Sequence, residues 1–423
     1  MMNDMVKEGD MKGTNDKRLV PELRFPEFEK DGEWHIEKLC NIANTFSGGT
    51  PSVNNRDYYN GVIPFIRSGE INNTITELSL THLGVEKSSA KIVEKGTILY
   101  ALYGATSGEV AISKIRGAIN QAILAVIPNA NYSTRYVYQF LKKEKTVITN
   151  HFLQGGQGNL SGTIINNLSI PFPSYIEQQK IAECLSSIDE EINAIKEKVE
   201  QLKIHKKGLM QKLFPIAGKF VPELRFPEFK KDWDVDSMQS MFDMKNGYTP
   251  SKSNTTYWDK GTIPWFRMED IRKNGHILSD SIQHVTMQAV KNSGLFPAYS
   301  IIVATTATIG EHALVIVDSL ANQQFTFLTK RKSFKDKINM MYFHHYMFII
   351  DEWCKKNTNS GGLVSVNMPA FKQLLIPFPS PAEQQKIADS LSSIDELISL
   401  YENKVILLEQ HKKGLMQQLF PKL

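Results

Sequence analysis

Residues Ile170–Pro215 read IPFPSYIEQQKIAECLSSIDEEINAIKEKVEQLKIHKKGLMQKLFP, and Ile376–Pro421 read IPFPSPAEQQKIADSLSSIDELISLYENKVILLEQHKKGLMQQLFP. Roughly two-thirds of the paired positions are identical, and the match needs no gap. Ile-Pro-Phe-Pro cannot be helical and predicts an extended lead-in. Ser174-Tyr-Ile-Glu177 then has the form of a capping box. Ser380-Pro381-Ala-Glu383 is the same device, with proline at the first helical position. The apolar series Ile181, Leu185, Ile188, Ile192, Ile195, Val199, Leu202 recurs as Ile387, Leu391, Ile394, Ile398, Tyr401, Val405, Leu408. Both step 4-3-4-3-4-3, the a/d rhythm of a coiled-coil seam. Each helix should end near Leu-Phe-Pro, about 39 residues or roughly 55–60 Å from its start. Two such helices in one chain most simply pair with each other. Antiparallel pairing would put a globular unit at each end, about a pseudo-two-fold axis. Leu397, Leu400, Ile406 and Leu407 widen the second stripe and suggest packing against more than one helix. His205-Lys-Lys-Gly208 and His411-Lys-Lys-Gly414 recur unchanged and suggest a solvated helix face or a partner contact.

A second repeat stands upstream. Val20–Phe28 and Val221–Phe229 share the nine letters VPELRFPEF. The chain is therefore a tandem duplication of a half-protein, not a solenoid, whose units run about 20–50 residues. Between the matched blocks lie two segments of about 140 residues that share only signposts. Trp34 matches Trp233, Ser47-Gly-Gly-Thr-Pro-Ser52 matches Asn246-Gly-Tyr-Thr-Pro-Ser251, and Ile63-Pro-Phe-Ile-Arg67 matches Ile263-Pro-Trp-Phe-Arg267. Asn120-Gln121 matches Asn322-Gln323. Thr97–Leu102, Ala122–Ile127, Ser300–Ala304 and Phe325–Leu328 read as strands. Tyr136–Leu141 and Lys337–Phe348 read as helices. The fold class is α+β: two mixed α/β domains joined by two long antiparallel coiled-coil helices. The expected boundaries are 1–18 lead-in, 19–169 first domain, 170–216 first helix, 217–375 second domain and 376–423 second helix.

Four loops in each domain are placed to present side chains. The candidates are Gly48, Gly49 and Thr50; Arg67 and Ser68; Tyr103 and Thr106; and Gln154, Gln157 and Asn159. Their counterparts are Tyr248 and Thr249; Arg267; Thr305 and Thr306; and Asn357, Asn359 and Ser360. Asn and Gln amides suit adenine, Arg suits guanine, and a Thr methyl suits thymine. Glycines let the backbone approach a ligand closely. Arg67 and Arg267 occupy matched positions and equally suit scaffold salt bridges. Positions that differ, such as Tyr103 against Thr305, are the stronger candidates for sequence readout.

Composition narrows the rest. The 423 residues include 41% hydrophobic and 22% charged side chains, ordinary for a globular chain of two to four domains. No apolar run is long enough for a membrane span, and the polar start lacks a secretory h-region. A cytoplasmic protein is expected. Its three cysteines are scattered and form no CxxC, which speaks against disulfides and zinc. Net charge is +4, but Glu177–Leu213 is neutral and Glu383–Leu419 carries −2, so the remainder carries +6. That surplus hints at a polyanionic partner. No phosphate loop, dinucleotide fingerprint, HExxH or GxSxG occurs, and no Pro-Pro pair for an amino-methyltransferase motif. His344-His345 reads as a surface or helix pair rather than a metal ligand set. No catalytic residue and no metal site are assigned.

The order of unlike domain, repeated helix, unlike domain, repeated helix resembles the specificity subunit of a type I restriction–modification system. The GYTPS, YW, IPWF and DI signposts and the IPFPSxxEQQKIAxxLSSID string strengthen the resemblance from Leu19 to the C-terminus. Tyr59, Phe65 and Glu70 depart from the second copy's Trp258, Trp265 and Asp270. The resemblance implies two target-recognition domains, each reading half of a split, asymmetric site in double-stranded DNA. It implies paired helices acting as a ruler, and docking of two methyltransferase subunits that carry S-adenosylmethionine and methylate adenine. Motor–nuclease subunits using ATP and Mg would join to cleave unmodified DNA. The chain itself would hold no cofactor. A duplicated enzyme is disfavoured because it would repeat its catalytic residues. A coiled-coil adaptor leaves the divergent inserts unexplained, and RNA binding lacks an RNP-type signature.

Overall fold

The computed structural model describes residues 19–153, 159–215, 219–359 and 364–422. It divides into two units, Met1–Ile195 with Asn403–Leu423, and Lys196–Glu402. Each unit holds one α/β domain and a stretch of both long helices.

The long helices are Tyr175–Leu213 and Pro381–Leu419, so both begin one residue after the predicted caps. Only half of the first capping box forms. Ser174 Oγ accepts from the Glu177 amide at 3.4 Å, but the Glu177 carboxylate does not reach back. It takes a bidentate bond from Arg24, at 2.8 and 2.7 Å. Glu383 does the same with Arg225, at 2.7 and 2.8 Å. Both carboxylates are essentially unexposed. Their hydrogen bonds are the main cause that raises Arg24 and Arg225 above the ordinary guanidinium range.

These arginines belong to the repeated nonapeptide, which also grips a helix end. The Leu23 amide donates to the Gln418 carbonyl at 3.0 Å, and the Leu224 amide donates to the Lys212 carbonyl at 2.8 Å. Helix C-termini leave such carbonyls without intrahelical partners. In each unit, then, one nonapeptide ties the start of one long helix to the end of the other. Lys180 with Glu27, and Lys386 with Glu228, add a matched outer ion pair.

All fourteen predicted seam residues are buried or half-buried. Leu397, Leu400, Ile406 and Leu407 are instead exposed, between 43% and 65%, so the wider stripe does not pack within the chain. Cross-helix ion pairs run antiparallel in each unit. The first has Lys412 on Asp189 and Lys404 on Glu191 at 2.8 Å; the second has Lys206 on Asp395 and Lys203 on Glu402 at 2.9 Å. Lys206 and Lys412 are the middle residues of the repeated His-Lys-Lys-Gly. The histidines face solvent as expected, but these lysines turn inward.

Each domain core takes in both long helices. In the first unit Ile181, Leu185, Met416, Leu419 and Phe420 join Trp34, Tyr136, Phe140 and Phe172. In the second, Met210, Phe214, Ile387 and Leu391 join Trp233, Tyr342, Phe343 and Phe378. The two tryptophans that match in sequence meet matching tyrosines edge-on, Trp34 on Tyr136 at 6.3 Å and Trp233 on Tyr342 at 6.5 Å.

Three sheets complete each domain, the smallest pairing His35–Lys38 with Ser169–Phe172, or Asp234–Ser237 with Leu375–Phe378. The first domain has antiparallel Ala43–Ser47, Ile123–Pro128, Ile98–Ala101 and Val110–Ile112 in that spatial order, and a further sheet around Tyr59–Ile66. The second domain repeats this with Phe242–Asn246, Phe325–Lys330, Ser300–Ala304 and His312–Val315, adds a fifth, parallel edge strand Ile277–Leu278, and has a sheet around Ile263–Phe266. The expected strands are present. The two domain helices run longer than expected, Thr134–Leu153 and Met340–Lys356. Asn339 caps the latter by accepting from the Met341 and Tyr342 amides at 2.8 and 3.1 Å.

His344 and His345 lie on that helix but are 3% and 1% exposed, not at the surface. A helix docked on both a sheet and the long helices has little free face. His344 meets His312 edge-on at 5.4 Å, and His276 lies 5.6 Å from His312. His345 Nε2 meets Ser392 Oγ on the second long helix at 3.2 Å. Burial is the main cause that pulls His312 and His345 down to about 3 and His344 well below the ordinary range, with help from neighbouring histidines and Lys206. His312 Nε2 and the Nδ1 atoms of His344 and His345 have no acceptor among the described residues. The neutral forms are therefore favoured in the fold. Stability is complete above the unfolded value near 6.5 and falls as pH drops toward 3. The loss should grow steadily as pH falls below the unfolded value. Calorimetry should find the second unit melting earlier in acid than the first. His345→Gln, which copies Gln139 of the first unit, should flatten that dependence.

Candidate nucleic-acid interface

The four candidate loops converge in each domain on one two-residue turn, Asn120-Gln121 or Asn322-Gln323. The turn leads into the strand Ile123–Pro128 or Phe325–Lys330, so the rigid sheet sets its place. In the first unit Gly49 donates to the Ile119 carbonyl at 3.2 Å, and Thr50 Oγ1 donates to Gln121 Oε1 at 2.6 Å. The Asn120 amide donates to the Ile66 carbonyl at 3.3 Å, which brings in the Arg67–Ser68 loop. Leu102 donates to the Ala122 carbonyl at 2.8 Å, and Leu160 donates to the Leu102 carbonyl at 2.9 Å. Those two bonds bring in the Tyr103–Thr106 loop and the segment around Asn159.

The second unit repeats the arrangement. Tyr248 donates to the Ala321 carbonyl at 2.8 Å, and Thr249 Oγ1 donates to Gln323 Oε1. Asn322 donates to the Phe266 carbonyl at 3.0 Å, and Thr305 donates to the Gln324 carbonyl at 3.0 Å. Val366 donates to the Thr305 carbonyl at 2.9 Å, and Asn359 donates to the Ser365 carbonyl at 2.9 Å. The first three loops and the described end of the fourth thus share one edge of each domain.

Accessibility within the set is uneven. Thr50, Asn159 and Asn359 are exposed, and Ser68, Tyr103, Thr106 and Thr306 are half-buried. Gly49 is buried under Ser89 and presents nothing. Thr305 is 7% exposed, with its hydroxyl 3.2 Å from Thr326 Oγ1, so it is a scaffold residue and not the reader its mismatch with Tyr103 suggests. A strand-end hydroxyl turned into the sheet cannot be told from an outward one by spacing alone. Tyr248 donates its hydroxyl to the Ala289 carbonyl at 3.2 Å, and Asn357 caps the domain helix through the Trp353 carbonyl at 2.8 Å. Gln154, Gln157 and Ser360 lie outside the described residues.

Arg67 and Arg267 are engaged by acids. Arg67 Nε donates to Glu70 at 2.9 Å and its NH2 meets Glu77, contacts that raise its pKa, Glu70 foremost. Burial pushes Glu70 up, but the Arg67 bond, the Glu77 and Arg67 backbone amides and the Arg67 charge together outweigh it and leave Glu70 below the usual carboxylate range. Arg267 pairs with Glu269 at 2.9 Å, and its amide donates to Asp270 at 2.7 Å. Asp270 is fully buried and also accepts from Ile282 at 2.6 Å, so the matched acid holds the loop's shape.

Gln121 and Gln323 were not among the candidates, yet both are exposed at the centre of the edge. Their identity in two otherwise unlike segments was the available signal. Among the described residues no group of His, Cys, Asp or Glu is arranged to hold a metal. No helix there is long and apolar enough to cross a membrane.

Gly48 is where the edge is least forgiving. A Cβ there would stand 1.9 Å from the Ile119 carbonyl oxygen, and one at Gly247 would stand 2.4 Å from that of Ala321. Backbone cannot yield as a flexible side chain can. Gly48→Ala should cost about 1–3 kcal/mol and shift the first loop. Gly69→Ala, with nothing within 4 Å, should be neutral. Thermal melts of the two variants check the contrast.

The sequence matches the type I restriction modification DNA specificity domain twice, over residues 31–203 and 230–410. It is 45% identical over 163 residues to the EcoprrI specificity subunit of Escherichia coli, covering 38% of this chain and 40% of that protein. It is 24% identical over 422 residues to the MjaVIII specificity subunit of Methanocaldococcus jannaschii, covering 94% and 93% of the two. The chain thus spans less than half the length of the first relative and nearly all of the second. The fold is similar to that of a type I system S subunit from M. genitalium, with TM-score 0.60 and 15% identity over 96% of this chain and 100% of that one. With two specificity domains covering most of its length, the chain belongs to the family of type I restriction–modification DNA specificity subunits, the non-catalytic component of such a system.

Proposed function

We propose that each domain reads one half of a bipartite, asymmetric site in double-stranded DNA, through the edge where its four loops meet. The observation that carries this reading is one scaffold built twice, with unlike side chains on the same edge. Ser68, Tyr103, Thr106 and Asn159 would face bases in one half-site, and Thr306 and Asn359 in the other. Arg67 and Arg267 would shape their loops, because their charges are already met. The long helices would form an antiparallel coiled coil that spaces the halves. The reciprocal pairs Lys206–Asp395 and Lys412–Asp189 join equivalent positions in swapped roles, which favours a pseudo-two-fold axis. Two readers on one DNA face prefer half-sites about one helical turn apart, roughly 34 Å. Short half-sites suffice when both must bind together.

The chain would dock two methyltransferase subunits, which carry S-adenosylmethionine and methylate one adenine on each strand. Motor–nuclease subunits using ATP and Mg would complete the restricting assembly, within the cytoplasm. A neighbouring relation supports assembly: a chain 14% identical, with TM-score 0.56, comes from work on complex assembly in the type I R-M system.

Co-expression with a partner methyltransferase in a methylation-free host, followed by mapping of modified adenines, tests the reading. The expected result is a split motif with a fixed unread gap. Exchanging residues 30–168 for another recognition domain should change one half only. A change in both halves, or no methylation from an assembled complex, overturns the assignment.

The ruler has its own test. Inserting four residues before Lys196, with four before Glu402 to keep the antiparallel partner in step, adds about 6 Å. The methylated gap should lengthen by about two base pairs, and an unaltered gap excludes the helices as the spacer.

A further inference from the structure

Each unit carries a threonine, a glutamine and a lysine at the loop edge, all exposed but the half-buried Thr249. In the first, Lys91 lies directly across from Ile119 in the strand pair, two residues before Gln121. Its ammonium sits 5.3 Å from the Phe46 ring, at the entry to the Gly48–Thr50 loop. In the second, Lys291 stands 4.3 Å over the Tyr248 ring, and its amide donates to the Tyr248 hydroxyl at 3.0 Å. Thr50 and Thr249 each donate a hydroxyl to the Oε1 atom of the neighbouring glutamine. That bond orients the amide and leaves its two N–H groups without a partner among the described residues. Neither lysine has a carboxylate at ion-pair distance among the described residues. The aromatic ring beneath each fixes its position without neutralising it.

We propose that Thr50, Lys91 and Gln121 in one unit, and Thr249, Lys291 and Gln323 in the other, each anchor a phosphate of the DNA backbone. This rests on the DNA-reading assignment and adds to it which exposed residues do not read sequence. Domains that read different letters have little reason to share base contacts. Every duplex, however, presents the same phosphates, and backbone contacts set register without carrying sequence information. A phosphate takes a cation and N–H donors, which is what each set offers. The edge is thereby divided. Its centre holds the strand, and the unlike residues around it discriminate.

The test uses the full-length chain on a duplex carrying the mapped bipartite site and on a scrambled duplex of equal length, over a salt series. Lys91→Ala and Lys291→Ala should weaken both duplexes alike and lower the slope of log affinity against log salt by about 0.9 each. Lys91→Arg and Lys291→Arg should keep the slope. Gln121→Ala and Gln323→Ala should weaken both duplexes by a common factor of roughly five, and Gln121→Glu and Gln323→Glu by more. Melting temperatures of these surface variants should match the parent. A changed preference between site and scrambled duplex would make these residues base readers and overturn the proposal. Unchanged affinity and slope would remove them from the interface. A parent chain that binds neither duplex would instead overturn the DNA-reading assignment itself, and the anchors with it.

Discussion

Two buried carboxylates govern the architecture. Glu177 and Glu383 open the long helices, where the positive end of the helix dipole favours them. Both are nonetheless shut off from water, and a buried charge without a partner costs several kcal/mol. Arginine is the side chain that meets a carboxylate with two parallel N–H bonds and stays charged when desolvated. Arg24 and Arg225 supply it, each from a segment that in the same stroke satisfies a carbonyl at the far end of the other helix. This explains why nine consecutive letters are identical in both copies. Each nonapeptide has two fixed appointments, one with a helix start and one with a helix end. Neither tolerates a change of spacing between Leu23 and Arg24 or between Leu224 and Arg225.

The second constraint is the inward lysine. Lys412 is 5% exposed, held by Gln139 at 3.0 Å and by Asp189, whose other oxygen faces Lys142 at 3.3 Å. Burial and Lys142 pull Lys412 down to about 8, against Asp189, which raises it. In the second unit the same position, Lys206, pairs with Asp395 and lies 5.3 Å from the Phe348 ring, with His345 where Gln139 stands in the first. One unit thus joins its domain helix to the long helices by a polar network. The other does so by a cation over an aromatic ring beside neutral histidines. The two joints are geometrically equivalent but respond differently to acid, because only the second contains buried histidines that the fold holds neutral and acid must charge on unfolding.

The long helices and their starting points were legible because local signals agreed: proline before, serine at the boundary, an apolar 4-3 rhythm within. The strands were legible as short apolar runs. What escaped was set by burial that sequence spacing does not encode. His344-His345 looks like a surface pair until the helix carrying it is found wedged between sheet and long helices. His-Lys-Lys-Gly looks solvated because two of its three polar residues are; only the fold shows that the middle one turns in. Thr305 failed as a reader for the same reason, since a mismatch between copies marks divergence but not exposure. Glu177 reads as one half of a capping box, and its true partner lies 153 residues away.

The comparison between copies therefore has to be read with burial in hand. Matched and buried residues, such as Trp34 with Trp233 or Tyr136 with Tyr342, hold the scaffold. Arg67 and Arg267 are matched and partly exposed, but their charge is spent on Glu70, Glu77 and Glu269, so they shape loops. Unmatched and exposed residues are free to discriminate, because nothing in the fold depends on them. The class that remains, matched and exposed with unspent donors, has no structural reason to be shared. Gln121 and Gln323 fall in it, and each domain adds a cation resting on a ring, though from a different position in its chain. A shared ligand feature accounts for such residues, and in a duplex the feature common to every sequence is its phosphate backbone.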